Sequence, residues 1–320
     1  MKALQITDYR GPETMLYQET ERPTVQETEV LIKVDYSGVG LIDIIFSRGF
    51  GALPLPATPG LEVAGTVVDI GKEVRNFQLG DRVAGLTINT LKGFSELVSL
   101  PEDYVVKIPE NLGIDKATAA LTNTATALVL LKEIVRLPIG ANVLVYGATG
   151  GLGAQVGQAA KLLGAKKVVA AVSNETKCQN ALELGYDAAY LREECFISSE
   201  EKFDLIVDPV GGVQRKDNLG KLNPYGTLAI VGNASQEERA DINPDICWLN
   251  NLNLTGFNFG GYCSHHIQKV NGYLIWALEL VANNQIKLPK LYKAPIDNAV
   301  QSLLDLEEGK INGKLLLKHP

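Results

Sequence analysis

The sequence predicts an α/β protein in two parts, a largely β segment followed by strand–helix repeats that build a parallel sheet. Three observations carry this expectation. Up to Pro109 the apolar residues come in short Val- and Ile-rich runs punctuated by Gly and Asp, as in "EVLIKVDYSGV", "VAGTVVDIG" and "DRVAGL", with little sustained helical periodicity. After Pro109 the stretch "GIDKATAALTNTATALVLLKEIV" is rich in Ala and Leu, with apolar residues at helical spacing. From Asn142 onward strands and helices alternate, and helices of this length between strands mean a parallel sheet covered on both faces.

Taken in order, the β segment closes with the strand "DYVVKIP", and the Ala-rich helix leads to the strand "NVLVYG". A helix from about Leu152 to Leu163 follows, then the strand "KKVVAAV", a helix from about Thr176 to Leu184, the strand "FDLIVDPV", a further helix and the strand "TLAIVG". The run "NGYLIWALELVANNQI" is helical again. The chain closes with the short strand "KLLLKH", which need not belong to the parallel sheet. The sequence contains neither an internal repeat nor a low-complexity segment.

A chain of 320 residues, 46% hydrophobic and 21% charged, allows two domains with separate cores. No stretch of about 18 apolar residues is present, and the start "MKALQITDYRGPE" lacks the basic-then-apolar pattern of a secretory signal, so a cytoplasmic protein is expected. The net charge of -7, spread over scattered acids, argues against nucleic acid or an anionic membrane as the main partner. A small-molecule ligand fits better. Cys178, Cys195, Cys247 and Cys263 are too widely spaced for a metal knot and are expected to be reduced, mostly buried thiols. His265, His266 and His319 form no ligand pattern, so no metal site is expected.

The stretch "NVLVYGATGGLGAQVG" is a strand, a glycine-rich turn and a helix start. Such a turn binds anions, because the first helical amides lack internal partners and the helix dipole favours negative charge there. Ala148, Gly150 and Gly153 spell A-x-G-x-x-G, one residue off the usual dinucleotide fingerprint, and Ala148, Thr149, Gly150, Gly151, Leu152 and Gly153 are the candidate phosphate-binding residues. A free ribose 2′-hydroxyl usually calls for an acid at the tip of the second strand. Here that strand ends in "SNETK", with Ser173 at the tip and Lys177 one turn into the next helix, which suits a 2′-phosphate and favours NADPH over NADH. Glu175 argues the other way, and Lys177 as a plain solvated residue is the alternative.

The chain resembles the zinc-independent, quinone oxidoreductase-like branch of the medium-chain dehydrogenase/reductases. The resemblance runs nearly end to end, through "EVLIKVDYSGVGLIDI", "TPGLEVAGTVVDIGKEVRNFQLGDRVAGL", "GFSELVSLPEDYVVKIPENL", "VLVYGATGGLGAQVGQAAKLLGAKKVVAAVSNETK", "FDLIVDPVGG" and "GKLLLKHP". It implies a GroES-like catalytic domain from residues 1–116 and 268–320, a Rossmann domain over residues 117–267, and an active site in the cleft. It also implies that Thr126 and Asn258 lie near the nicotinamide, although Thr126 reads equally well as a buried helix residue. In this family the segment around "LNLTGFNFGG" commonly forms a homodimer.

The zinc alcohol dehydrogenases resemble the same segments but carry Cys and His ligands. Gly40 stands where their first cysteine would be and Leu61 where their histidine would be, so the resemblance implies neither a catalytic zinc nor a structural zinc lobe. Without a Lewis acid on the oxygen, hydride delivery to an activated C=C bond or to a quinone remains. The tyrosine that related reductases often carry near the Gly40–Asp43 segment is missing, and Asn233 stands where polyketide enoyl reductases often have a lysine. Tyr225 and Tyr262 are spare hydroxyls that could donate a proton, and Gly40, Ile42 and Leu61 are expected to make a wide, dry substrate pocket.

The leading expectation is an NADPH-dependent reductase of an α,β-unsaturated carbonyl, either a free enone or an enoyl thioester held by a carrier protein. Quinone reduction is the runner-up. Two further readings stay open: reductive closure of a cyclopropane from a γ-halo enoyl thioester, since an unprotonated enolate carbon can displace the halide, and a non-catalytic nucleotide-binding relative.

Overall fold

The computed structural model describes residues 1–192, 201–237 and 242–320. The chain forms two compact units, Met1–Ala125 with Cys263–Pro320, and Thr126–Tyr262. Both divisions fall inside helices, Ile114–Val129 and Phe259–Ala282.

In the first unit the strand Glu29–Val39 is the hub. One of its edges pairs antiparallel with Glu62–Ile70; the other pairs with Leu97–Pro101 along Glu29–Lys33 and with Lys314–Lys318 along Tyr36–Val39. Register shifts at Leu31/Ile32 and Val34/Tyr36 bend the strand, which lets its two halves serve different partners. Val30, Ile32 and Val34 pack with Val63, Val83, Val98 and Leu100 in one core, and Val39 packs with Leu4, Phe94, Leu315 and Leu317 in another. Each such side chain taken out of water contributes about 1.5–3 kcal/mol. The closing strand therefore belongs to this sheet, where it also runs parallel to Leu291–Pro295. Helical structure is present before Pro109 as well: within this largely β segment Leu41–Ser47 forms a two-turn helix.

The second unit is a six-stranded, wholly parallel sheet. In chain order its strands are Asn142–Tyr146, Lys167–Val172, Ala188–Leu191, Phe203–Asp208, Leu222–Ile230 and Asn253–Gly256, and their spatial order is third, second, first, fourth, fifth, sixth. The inner strands are almost entirely buried, with Val143, Leu144, Val168, Val169, Leu205 and Ile206 at most 2% exposed. That burial is why they read as continuous apolar runs rather than alternating ones. The order reverses between the first and fourth strands, and ligands of such sheets bind outside the carboxyl ends at that reversal.

Candidate functional site

The reversal point is built around a turn whose glycines are sterically required. Gly147 follows the first strand with φ +60°, a backbone state that suits a residue without Cβ. The Gly150 N–H donates to the Gly147 carbonyl at 3.0 Å, and Gly150 caps the helix Gly151–Leu162 with no side chain over its end. A Cβ on Gly153 would lie 2.3 Å from the Gly147 oxygen and 2.8 Å from the Ala148 Cα, so only glycine lets the helix sit this close to the strand. The turn is thus Gly147-x-x-Gly150-x-x-Gly153. The expected opening residue, Ala148, is a buried spacer, and Gly147 takes the opening position instead.

The first-turn amides of Gly151, Leu152 and Gly153 have no intrahelical acceptor by geometry, and Thr149 is buried beside them. The loop after the fourth strand lies against this turn, with Val210 Cγ2 3.3 Å from where a Gly147 Cβ would be. Asp208 fixes that loop. Its buried carboxylate accepts the Val210 and Gly211 N–H groups at 2.8 and 2.9 Å and pairs with Arg215 Nε at 2.7 Å. The bare amides and the absent Cβ atoms form a cradle that fits the pyrophosphate of a dinucleotide.

At the tip of the second strand Ser173 is exposed, and Lys177 Nζ donates to its hydroxyl at 3.0 Å. Asn174 caps the helix Glu175–Glu183 by accepting the Lys177 N–H at 3.0 Å. The hydroxyl and the ammonium therefore stand together where an acid would otherwise hold a ribose diol, while Glu175 is exposed on the first helical turn.

Asn258 and Tyr262 follow the sixth strand and so lie at the same, carboxyl end of the sheet. The Asn258 side chain accepts the Gly261 N–H at 3.1 Å, which caps a helix, and the Tyr262 ring packs edge-on to Phe257 with centroids 6.1 Å apart. Tyr225 is elsewhere. It stands 76% exposed with φ +67°, its N–H bound to Asn251 O at 2.7 Å, and lines a cavity with Asp204 and Asn253 at the amino ends of the strands. Tyr225 does not fit a proton donor, because the glycine turn lies at the opposite, carboxyl end of the strands. Asn233 Oδ1 rests over Gly211, where that residue has no Cβ. Thr126 is buried in the helix Ile114–Val129.

In the first unit the three pocket candidates converge on one carboxylate. Asp43 is buried; its Oδ2 accepts the Gly40 N–H at 2.8 Å and its Oδ1 the Gly60 N–H at 2.9 Å. One side chain thereby ties Gly40 and Ile42 to the segment carrying Leu61. Burial pushes its pKa up to about 6, against the pull of the two backbone N–H groups and of Lys314. Beside it Glu62 forms a buried ion pair with Lys314, both side chains at most 5% exposed, and its Oε2 accepts the Thr122 N–H at 2.8 Å. A Cβ on Gly38 would collide with Glu62, so the facing strand makes room for this carboxylate.

Gly40 and Leu61 offer no ligand atoms, and among the described residues no three His, Cys, Asp or Glu side chains converge as a metal set. A zinc ion does not fit here. Of the cysteines, Cys263 is buried, with its thiol pushed up to about 12 by burial, whereas Cys178 and Cys247 are only half-buried. Cys195 lies outside the described residues.

A β-rich unit, a parallel sheet in this order and a glycine turn at its reversal define a medium-chain dehydrogenase/reductase. The family described as "Alcohol dehydrogenase GroES-like domain" matches residues 26–110, and the one described as "Zinc-binding dehydrogenase" matches residues 151–275. A quinone oxidoreductase of Pseudomonas aeruginosa is 31% identical over 242 residues, 73% of this chain and 74% of its own length; one of Sus scrofa is 29% identical over 99% of this chain and 97% of its own. Among solved structures, a quinone oxidoreductase of Pseudomonas syringae superposes with a TM-score of 0.90 at 26% identity, covering 99% of both chains. A mycobacterial protein solved in complex with NADPH gives 0.88 at 25% identity, again over 99% of both. The chain belongs to the quinone oxidoreductase-like family of medium-chain dehydrogenase/reductases.

Proposed function

We propose that this chain binds NADPH and reduces an electron-poor conjugated carbonyl compound, an enone or a carrier-bound enoyl thioester, with no metal in the step. The observation that carries the cofactor reading is the pairing of Ser173 and Lys177 at 3.0 Å on the second strand tip, a hydroxyl and a cation placed to suit a 2′-phosphate. When bound, the cofactor supplies a hydride. The chain's residues hold and shield it: the Gly150–Gly153 turn takes the pyrophosphate, and Gly40, Ile42 and Leu61 supply an apolar wall for the acceptor. Hydride arriving at the β-carbon leaves charge on the carbonyl oxygen, and the α-carbon then takes a proton from water or from Tyr262.

Quinone reduction is the second reading, favoured by the names of the relatives. Steady-state NADPH oxidation with a quinone, an enone and an enoyl thioester side by side separates the two. Turnover of the quinone alone would sink the enone reading, and tight NADPH binding without any turnover would indicate a nucleotide-binding relative. A γ-chloro enoyl thioester adds one arm: loss of chloride with one ring gained marks cyclopropane formation, whereas a saturated product that keeps its chlorine excludes it.

A homodimer is part of the same proposal. Among the described residues the strand Asn253–Gly256 is the sheet's last and is paired on one side only. Nearby Trp248, Leu249 and Leu254 stand 76%, 67% and 45% exposed, an apolar edge of the kind that a second copy covers.

A further inference from the structure

The helix Gly151–Leu162, which opens at the glycine turn, is fastened at both ends by two consecutive residues from outside it. The helix Glu175–Glu183 is followed by Gly185 with φ +93°, and the chain then turns toward the third strand through Tyr186 and Asp187. The Tyr186 N–H donates to the Ala181 carbonyl at 3.2 Å. Its side chain is buried, and its hydroxyl donates to the Gly153 carbonyl at 2.7 Å, in the first turn of the helix. Asp187 pairs with Lys161 Nζ at 2.6 Å in the last turn and accepts the Val168 N–H at 2.8 Å.

The helix makes room for the phenol. A Cβ on Gly157 would lie 2.3 Å from Tyr186 Cζ and 2.5 Å from its oxygen, so the end of the ring fills the place a side chain at 157 would take. Burial raises the phenol pKa against the pull of the Gly157 backbone, so the hydroxyl keeps its proton and remains a donor. A helical carbonyl has two lone pairs; one serves the N–H four residues on, and the second can take the phenol. Gly153 is thereby held on two sides, against the Gly147 carbonyl by its missing Cβ and to Tyr186 by its own carbonyl. Its N–H is among the first-turn amides that face the anion, and such bonds weaken steeply as distance and angle change.

We infer that Tyr186 is a positioning residue for the cofactor: its hydroxyl holds the first turn of the helix in place over the glycine turn, and so sets the affinity for the pyrophosphate without touching it. The inference rests on the dinucleotide reading of the glycine turn and adds to it a residue on a different element.

The test is equilibrium binding to the full chain, by fluorescence titration with NADPH and NADH and by calorimetry with ADP, together with amide hydrogen exchange of the ligand-free protein. Tyr186→Phe keeps the ring and removes only the donor. It is expected to weaken NADPH, NADH and ADP alike by about fivefold, the worth of one hydrogen bond, and to leave the preference between the two dinucleotides unchanged. Exchange is expected to quicken in the segment Gly151–Leu162 while the strands keep their protection. Gly157→Ala, whose methyl displaces the ring, should give at least the same loss of affinity. Unchanged binding by Tyr186→Phe would overturn the inference, and so would faster exchange spread over the whole sheet, which would assign the hydroxyl to the core alone. A wild-type chain that binds none of the three ligands would instead remove the dinucleotide reading, so the two failures are distinguishable.

Discussion

Gly153 sits so close to Gly147 that a Cβ on it would stand 2.3 Å from the Gly147 carbonyl oxygen. The obstacle is backbone, which cannot rotate aside. Gly153→Ala must therefore push the helix Gly151–Leu162 off the first strand, an overpacking change costing about 1–3 kcal/mol. The same displacement pulls the Gly151–Gly153 amides away from the pyrophosphate. The expected outcome is a lowered thermal midpoint together with at least a tenfold loss of affinity for NADPH and NADH alike. A variant that binds both normally would show that the close approach is not what shapes the cradle.

The strand tip gives the opposite pattern, a loss confined to one cofactor. Ser173→Asp places a carboxylate beside the Lys177 ammonium, where it would pair with that cation and face the 2′ position of the ribose. NADPH affinity should fall at least tenfold and NADH affinity should rise, since an acid there accepts from a free 2′-hydroxyl. Titration with both cofactors reads the exchange directly.

Glu62 and Lys314 form a buried ion pair between residues 252 positions apart in the sequence. Removing one partner leaves an uncompensated buried charge, which typically costs about 3–5 kcal/mol, whereas replacing both with apolar groups of similar size is often neutral. Lys314→Met should therefore lower chemical-denaturation stability by several kcal/mol, and Glu62→Leu with Lys314→Met should recover much of it. The Thr122 amide would still lose its acceptor in the double variant, so full recovery is not expected.

The sixth strand is expected to be a seam between two copies. Light scattering should give a dimer for the wild type, and Leu254→Lys, which puts charge on a half-exposed apolar edge position, should shift it toward monomer. A wild-type monomer at micromolar concentration would remove the seam.

The parallel sheet was legible because its strands are buried on both faces, so "NVLVYG" and "KKVVAAV" announce themselves as apolar runs. Strands half in solvent were not: Leu16–Glu19 and Leu291–Pro295 have no fully buried position, and nothing in their composition separates them from loop. The helix Leu41–Ser47 is too short for a period to show, and its one local signal is Asp43 at the third helical position, reaching back to the Gly40 N–H. In the glycine turn the residue types were readable but their alignment was not, since Gly147 rather than Ala148 takes the left-handed position. The Glu62–Lys314 pair depends on closure of the sheet by the last strand, which is not written locally. Tyr225 failed as a donor for the same reason, because a sequence does not say at which end of a parallel strand a hydroxyl emerges.

Two buried groups in the first unit make opposite predictions over the same range of pH. Ser37 Oγ donates to the Gly93 carbonyl at 2.5 Å, so its contact with His319 Nε2 at 2.7 Å is an N–H donated to Ser37. This tautomer, assigned from the hydrogen-bond network, leaves the enclosed Nδ1 as a bare lone pair with no partner among the described residues. Burial lowers the His319 pKa from 6.5 to about 4. Between those values the unfolded chain binds the proton and the native one does not, so His319 makes stability fall as pH drops from 6.5 toward 4, by about 1.4 kcal/mol per unit. Asp43 does the reverse. Its native pKa is raised by burial from 3.8 to about 6, so the native state binds the proton first, and stability rises as pH drops from 6 toward 4. In the wild type the two slopes oppose each other and largely cancel. His319→Gln should therefore make the protein gain stability, relative to wild type, as pH falls from 6.5 to 4. Asp43→Asn should make it lose stability across the lower part of that range, on top of a pH-independent cost, because the asparagine NH₂ would face one of the Gly40 and Gly60 N–H groups. Urea denaturation of the three proteins at half-unit steps of pH reads both slopes. Parallel curves would mean that neither group titrates differently in the folded chain.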